Sequence, residues 1–295
     1  MRILFCGVAA IALSGCSWLG WGGPKVPSFP ISQQQYGTFG QKKDDKCCVG
    51  GKSLSRWNIE GSVGAAFPVG GDALTGNQTN AITGITANEV GFGEAYNAGT
   101  RVELGGSYAL NPNRKFTANG FYQGFGSDGA VDVGTVGPGF AGTDVFGVST
   151  AGLTAPAAVS GELSNYRSYG AEVGLRQYFR PRPARFINSF RPYVEGKAGF
   201  AVVNSIDLEN VSVGGVAADD VELYDNGVVP TFAGLVGVET PIAPRTTLAL
   251  ETGIRYNGTL NSSSGSLTPG GSFAGINNGS NNWSVPVTLR ARYRF

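Results

Sequence analysis

Six glutamates and seven bases carry most of the chemistry open to this chain. They are Glu60, Glu103, Glu172, Glu195, Glu239 and Glu251, with Arg101, Arg176, Lys197, Arg255, Arg290, Arg292 and Arg294. All sit on the polar phase of segments where apolar and polar residues alternate. Carboxylates in pairs can act as general acid and base, and carboxylates beside guanidinium groups form strong ion pairs. The sequence contains no histidine. That removes the commonest general base and the usual partner of a serine or cysteine nucleophile. Near-equal numbers of opposite charge on one phase predict a paired network, not an enzyme site.

Two further constellations could carry chemistry. Asp219-Asp220-Val221-Glu222 with Asp225 could offer oxygen ligands to Ca²⁺. The spacing is not that of an EF-hand, and a solvated acidic loop explains it as well. Cys47 and Cys48 are adjacent. They could form a vicinal disulfide, pair with another chain, or have no specific role. No zinc set, no cofactor and no metal is predicted. A net charge of +1 argues against a nucleic-acid surface.

The elements that position the charges are strands. From Asn282 to Phe295 the residues Trp283, Val285, Val287, Leu289, Ala291, Tyr293 and Phe295 share one phase, and Arg290, Arg292 and Arg294 share the other. A strand turns successive side chains to opposite faces, so one face is apolar and the other basic. Seven more segments repeat the pattern. The first runs from Arg56 with Trp57, Ile59, Val63 and Phe67 opposite Glu60. The second carries Val102 and Leu104, and the third, about Phe116 to Phe125, has the weakest phase. The fourth to seventh are marked by Tyr169–Phe179, Val194–Val202, Phe232–Val238 and Leu248–Tyr256.

Connections alternate in length. Short links lie at Asn111-Pro112-Asn113, at Pro181 to Arg191 and at Ala243-Pro244-Arg245. The others are long and rich in Gly, Asn, Ser and Thr, and read as loops. They hold thirteen acids, from Asp72 to Asp225, and neither lysine nor arginine. The short links and their strand ends hold seven bases, including Arg114, Lys115, Arg191 and Arg245, and no acid. The apolar phase carries only Arg167, near the long-loop rim. A soluble barrel would bury that phase and solvate the charges. A transmembrane barrel puts it in lipid, where a midplane Arg or Lys costs about 2–4 kcal/mol, and keeps charge in the lumen. The composition agrees, with 47 glycines, 11% aromatic residues and only 15% charged residues. The prediction is all-β, an eight-stranded antiparallel up-and-down transmembrane β-barrel over residues 56–295.

These segments and their alternating connections resemble the OmpA/OmpX-type eight-stranded barrels and the opacity-type proteins of the small porin-like superfamily. The resemblance implies a Gram-negative outer membrane, short periplasmic turns and long external loops, and outer-membrane lipids as surroundings. Tyr293 and the terminal Phe295 resemble the aromatic signal recognised by the barrel-insertion machinery. Enzymes among such barrels generally use a histidine base, which this chain lacks. The resemblance therefore implies a structural or surface-interaction role through acidic loops, with an unknown surface ligand. A small porin-like channel is the alternative, but an eight-stranded interior is filled by side chains, and a charge plug would conduct poorly.

The N-terminus reads separately. Arg2, an apolar stretch from Ile3 to Leu13, and Leu13-Ser14-Gly15-Cys16 make a secretory signal over residues 1–15. The last four residues resemble a bacterial lipobox. This implies cleavage before Cys16 and a diacylglyceryl group on its thiol. Residues 16–55, rich in Pro, Gln, Gly and Lys, read as a periplasmic tether.

Overall fold

The computed structural model describes residues 55–76, 85–138, 144–149, 152–179, 190–263, 276–278 and 281–295, and the backbone of two short paired strands, Cys48–Val49 and Lys52–Ser53. The chain divides into two units, Met1–Asp45 and Lys46–Phe295. The first unit lies outside the described residues, and with it the expected signal peptide, the lipidation site Cys16 and most of the tether.

Eight strands close a barrel: β1 (Trp57–Gly70), β2 (Gly99–Asn111), β3 (Arg114–Phe125), β4 (Tyr166–Tyr178), β5 (Arg191–Val203), β6 (Gly227–Ala243), β7 (Thr246–Asn257) and β8 (Asn282–Arg294). Each pairs antiparallel with its sequence neighbour, and β8 closes on β1 with Arg292 opposite Glu60 and Leu289 opposite Val63. The topology is up-and-down. Closure leaves no barrel edge with unpaired backbone groups, the condition for spanning a bilayer with strands. Among the described residues no helix is long and apolar enough to cross a membrane.

The barrel is inside-out relative to a soluble protein. Leu104 is 69% exposed and Leu250 61%, while Arg101, Arg176 and Arg255 are each about 1% exposed. In water such an apolar surface would drive aggregation. In lipid it is the required exterior. Aromatic side chains ring both ends of the band. Trp57, Phe116, Phe179 and Tyr293 stand near the short turns, and Phe67, Tyr122, Tyr169, Phe232 and Trp283 near the long connections. Trp283 and Tyr293 are ten residues apart on β8. At about 3.3 Å per residue and a tilt of roughly 40°, that spans about 25 Å, the height of the apolar band of such barrels. The chain therefore has the architecture of an outer-membrane β-barrel, which crosses lipid with its strands.

The short turns at Asn111-Pro112-Asn113 and Ala243-Pro244-Arg245 are as expected, and the link from Pro181 to Arg191 lies almost wholly outside the described residues. Asn111 accepts the Asn113 backbone N–H on its side-chain oxygen at 3.0 Å, an Asx turn. The long connections differ from the expected irregular loops. They contribute Ile85–Ala87, Ala130–Val136, Ala157–Leu163, Ile206–Val213, Val221–Asp225 and Asn261–Ser262, which pair side by side in that order as a second sheet. Beneath it lies an apolar core that includes Leu74, Phe92, Val159, Leu163, Leu208 and Leu223, joined by Phe125, Tyr166 and Val203 from the barrel strands. Phe92 meets Tyr166 edge-on at 6.1 Å, and Phe125 lies 5.4 Å from the same ring. Apolar alternation within the connections explains this. Ile206, Leu208, Val211 and Val213 turn inward while Asp207 and Glu209 lie on the other side. Asn210, with φ 53°, shifts the phase between the two pairs. Its left-handed backbone suits Asn better than most residues.

Candidate functional site

Strand register delivers the charges to one interior. Glu103 on β2 is the hub. It accepts from Arg101 Nε at 2.8 Å, Lys197 Nζ at 2.7 Å, Arg290 at 2.8 Å and Arg255 at 3.2 Å. Glu172 on β4 pairs with Arg255 and with Arg101, and also accepts from the Thr231 hydroxyl at 3.1 Å. These residues form a layer toward the capping sheet.

A second layer lies toward the turns. Glu60 accepts from Arg176 at 2.9 Å and from the Ser107 hydroxyl at 2.5 Å. Arg176 also reaches Glu195 at 2.8 Å, whose other oxygen accepts from Thr117. Arg290 ties the layers together, since it holds Glu251 at 2.8 Å as well as Glu103. The floor is Glu239, bound by Arg292 and by the Tyr178 hydroxyl, with the Tyr193 hydroxyl donating to Glu251 at 2.5 Å. Tyr178 and Tyr193 pack with ring centroids 5.3 Å apart. Gly237 makes room for the second ring: an added Cβ would meet the Tyr193 hydroxyl oxygen at 2.6 Å.

All six glutamates are thus buried and engaged, together with Arg101, Arg176, Lys197, Arg255, Arg290 and Arg292. Such satisfaction is what a low-dielectric interior demands, because an unpaired buried charge is costly. Each carboxylate is held by cations and hydroxyls, so none is poised as a free base among these contacts.

Two residues depart from the reading of the sequence. Arg294 is not in the buried set. It is half-exposed at the end of β8, where its backbone N–H donates to the Arg245 carbonyl at the turn. The period-two phase is right, but the strand has run out of barrel and the side chain reaches the rim. Lys115, assigned to the turn, is instead inside at 4% exposure. β3 begins at Arg114 and alternates Lys115, Thr117, Asn119, Phe121 and Gln123 inward. That inner phase is mostly polar but uncharged, and Phe121 interrupts it. This is why its periodicity is weak in sequence. Tyr293 faces outward at the turn end, 5.6 Å from the Phe295 ring, and the Phe295 carbonyl accepts from the Ser55 N–H. Cys16 lies outside the described residues, as does the side chain of Cys48.

No family model matches the sequence, and no curated relative matches it. Solved structures do match at low identity. Neisserial surface protein A is 13% identical with a TM-score of 0.40, the match covering 83% of this chain and 100% of that one. The outer-membrane protease OmpT of Escherichia coli is 10% identical with a TM-score of 0.38, covering 83% and 99%. The outer-membrane protein OprG of Pseudomonas aeruginosa is 14% identical with a TM-score of 0.37, covering 81% and 95%. The barrel's own closure and polarity, not these likenesses, define its fold.

Proposed function

We propose that this barrel is a non-enzymatic, surface-exposed protein whose capping sheet is an acidic interaction face and whose strands are its anchor. The observation that carries this reading is the outer surface of the sheet. Glu162 stands opposite Glu209, and Asp207 opposite Glu222, in cross-strand register. Asp128, Asp132, Asp219, Asp220 and Asp225 are exposed on the same connections. Like charges directly opposite destabilise a sheet, and no lysine or arginine occurs in these connections to relieve them. A cationic partner gains from that unrelieved field. The missing histidine and the engaged glutamates support the absence of catalysis. The apolar core above a paired lumen supports anchoring rather than transport.

The test uses the full chain in zwitterionic liposomes and a fluorescent oligolysine probe. Exposed charges contribute about 0.2–1 kcal/mol each. The combined change Glu162→Gln, Glu209→Gln and Glu222→Gln should therefore weaken low-salt binding at least about threefold. Equal binding by parent and variant refutes the acidic-face reading. A large, steady conductance in planar bilayers favours the porin-like channel instead.

A further inference from the structure

The lumen holds one base too many. With Lys115 inside and Arg294 outside, seven buried bases face six buried glutamates. The other six bases each make at least one ion pair. Lys115 makes none among the described residues, and its buried Nζ has no hydrogen-bond partner. The carboxylates closest to the floor are already taken. Glu239 is held by Arg292 and Tyr178, and Glu60 by Arg176 and Ser107.

The surroundings mix both signs, since the carboxylates of Glu239 and Glu60 act on the ammonium as well as the guanidiniums of Arg292 and Arg176. Lys115 Nζ lies 5.2 Å from the centre of the Tyr178 ring. The guanidinium carbons of Arg191 and Arg292 lie 4.7 and 6.0 Å from that same centre. The Tyr178 hydroxyl donates to Glu239 and accepts from Arg292 at 2.6 Å, so it is not available to Lys115. Arg114 stands at the same turn as Lys115, and the short links carry no acid. The Tyr178 ring face gives Lys115 a cation–π contact, but a buried ammonium with no hydrogen-bond acceptor is still unfavourable, and an excess of one buried base over the buried glutamates favours a counter-ion.

We propose that a compact monovalent anion of about the size of chloride binds at the turn end of the lumen, with the Lys115 ammonium as its principal donor. Bound there, it neutralises the described interior charges and gives the Lys115 ammonium an acceptor.

Two measurements on the full chain test this. Crystals soaked in bromide should show an anomalous peak within hydrogen-bond reach of Lys115 Nζ. In detergent solution the chlorine NMR line of sodium chloride should broaden on adding protein. Unlabelled bromide should reverse the broadening, and a bulky organosulfonate should not. Lys115→Met should lower the broadening to the protein-free level, while Lys115→Arg retains it. Heat-modifiable migration on gels reports whether each variant is folded. If Lys115→Met does not fold, the bromide peak in the parent decides alone. Absence of that peak, or equal broadening by a folded Lys115→Met, overturns the proposal and leaves Lys115 uncharged or water-bound.

Discussion

Replacing Glu103 by glutamine is the sharpest test of the lumen network, because one carboxylate there serves four cations. Three of the four have other partners. Arg101 and Arg255 keep Glu172, and Arg290 keeps Glu251. Lys197 does not, since its only ion pair in the described residues is with Glu103 at 2.7 Å. At an effective dielectric of about 20, two charges at that distance attract by roughly 6 kcal/mol, much of it offset by desolvation. Removing one partner of a buried pair leaves the other uncompensated, at a cost of about 3–5 kcal/mol. Glu103→Gln should therefore destabilise the barrel by about that amount in reversible urea unfolding from detergent, followed by tryptophan fluorescence. Adding Lys197→Met removes the stranded charge and restores the lumen's original net charge. The double variant should recover most of the loss, a coupling larger than distant sites show. A single variant within about 0.5 kcal/mol of the parent, or a double variant worse than both singles combined, refutes the buried-partner argument.

Three other outcomes are expected. Phe92→Ala should loosen the capping sheet, since truncating a buried Phe costs about 3–5 kcal/mol. Limited proteolysis should then cut the long connections faster than in the parent, while heat-modifiable migration shows the barrel still folded. Burial of Tyr96 and Tyr224 outside the membrane band raises both hydroxyls above the ordinary tyrosine value. The folded state thus favours their protonated form, and cap stability should fall as pH rises past about 10. Tyrosinate absorbance that tracks cap loosening would show this, and titration of all tyrosines at the free value would contradict it. Mass spectrometry of protein from membranes should find a diacylglyceryl-modified Cys16 and no residues 1–15, whereas an unmodified terminus excludes lipidation.

The barrel was legible in the sequence because lipid and lumen impose opposite demands on alternate residues. Trp283 to Phe295 shows both demands in one segment, and Glu103 or Arg176 cannot face lipid without a large cost. Polarity alone thus assigns faces, and connection lengths assign strand order. The capping sheet was less legible. Ile206-Asp207-Leu208-Glu209 alternates like a strand, but the phase shift at Asn210 and the surrounding Gly and Asn hide it among turn residues.

Partners and ends were decided only in three dimensions. Arg290 and Glu103 are 187 residues apart, and nothing local says that they meet. That follows from the stagger of eight strands closing on themselves, which sets the height of each residue along the lumen. The same stagger sends Arg294 to the rim and takes Lys115 inside, a difference of one residue past a turn. Alternation tells which way a side chain points, but it does not tell at what depth. Depth comes from closure, and it decides which charges find partners and which one is left over.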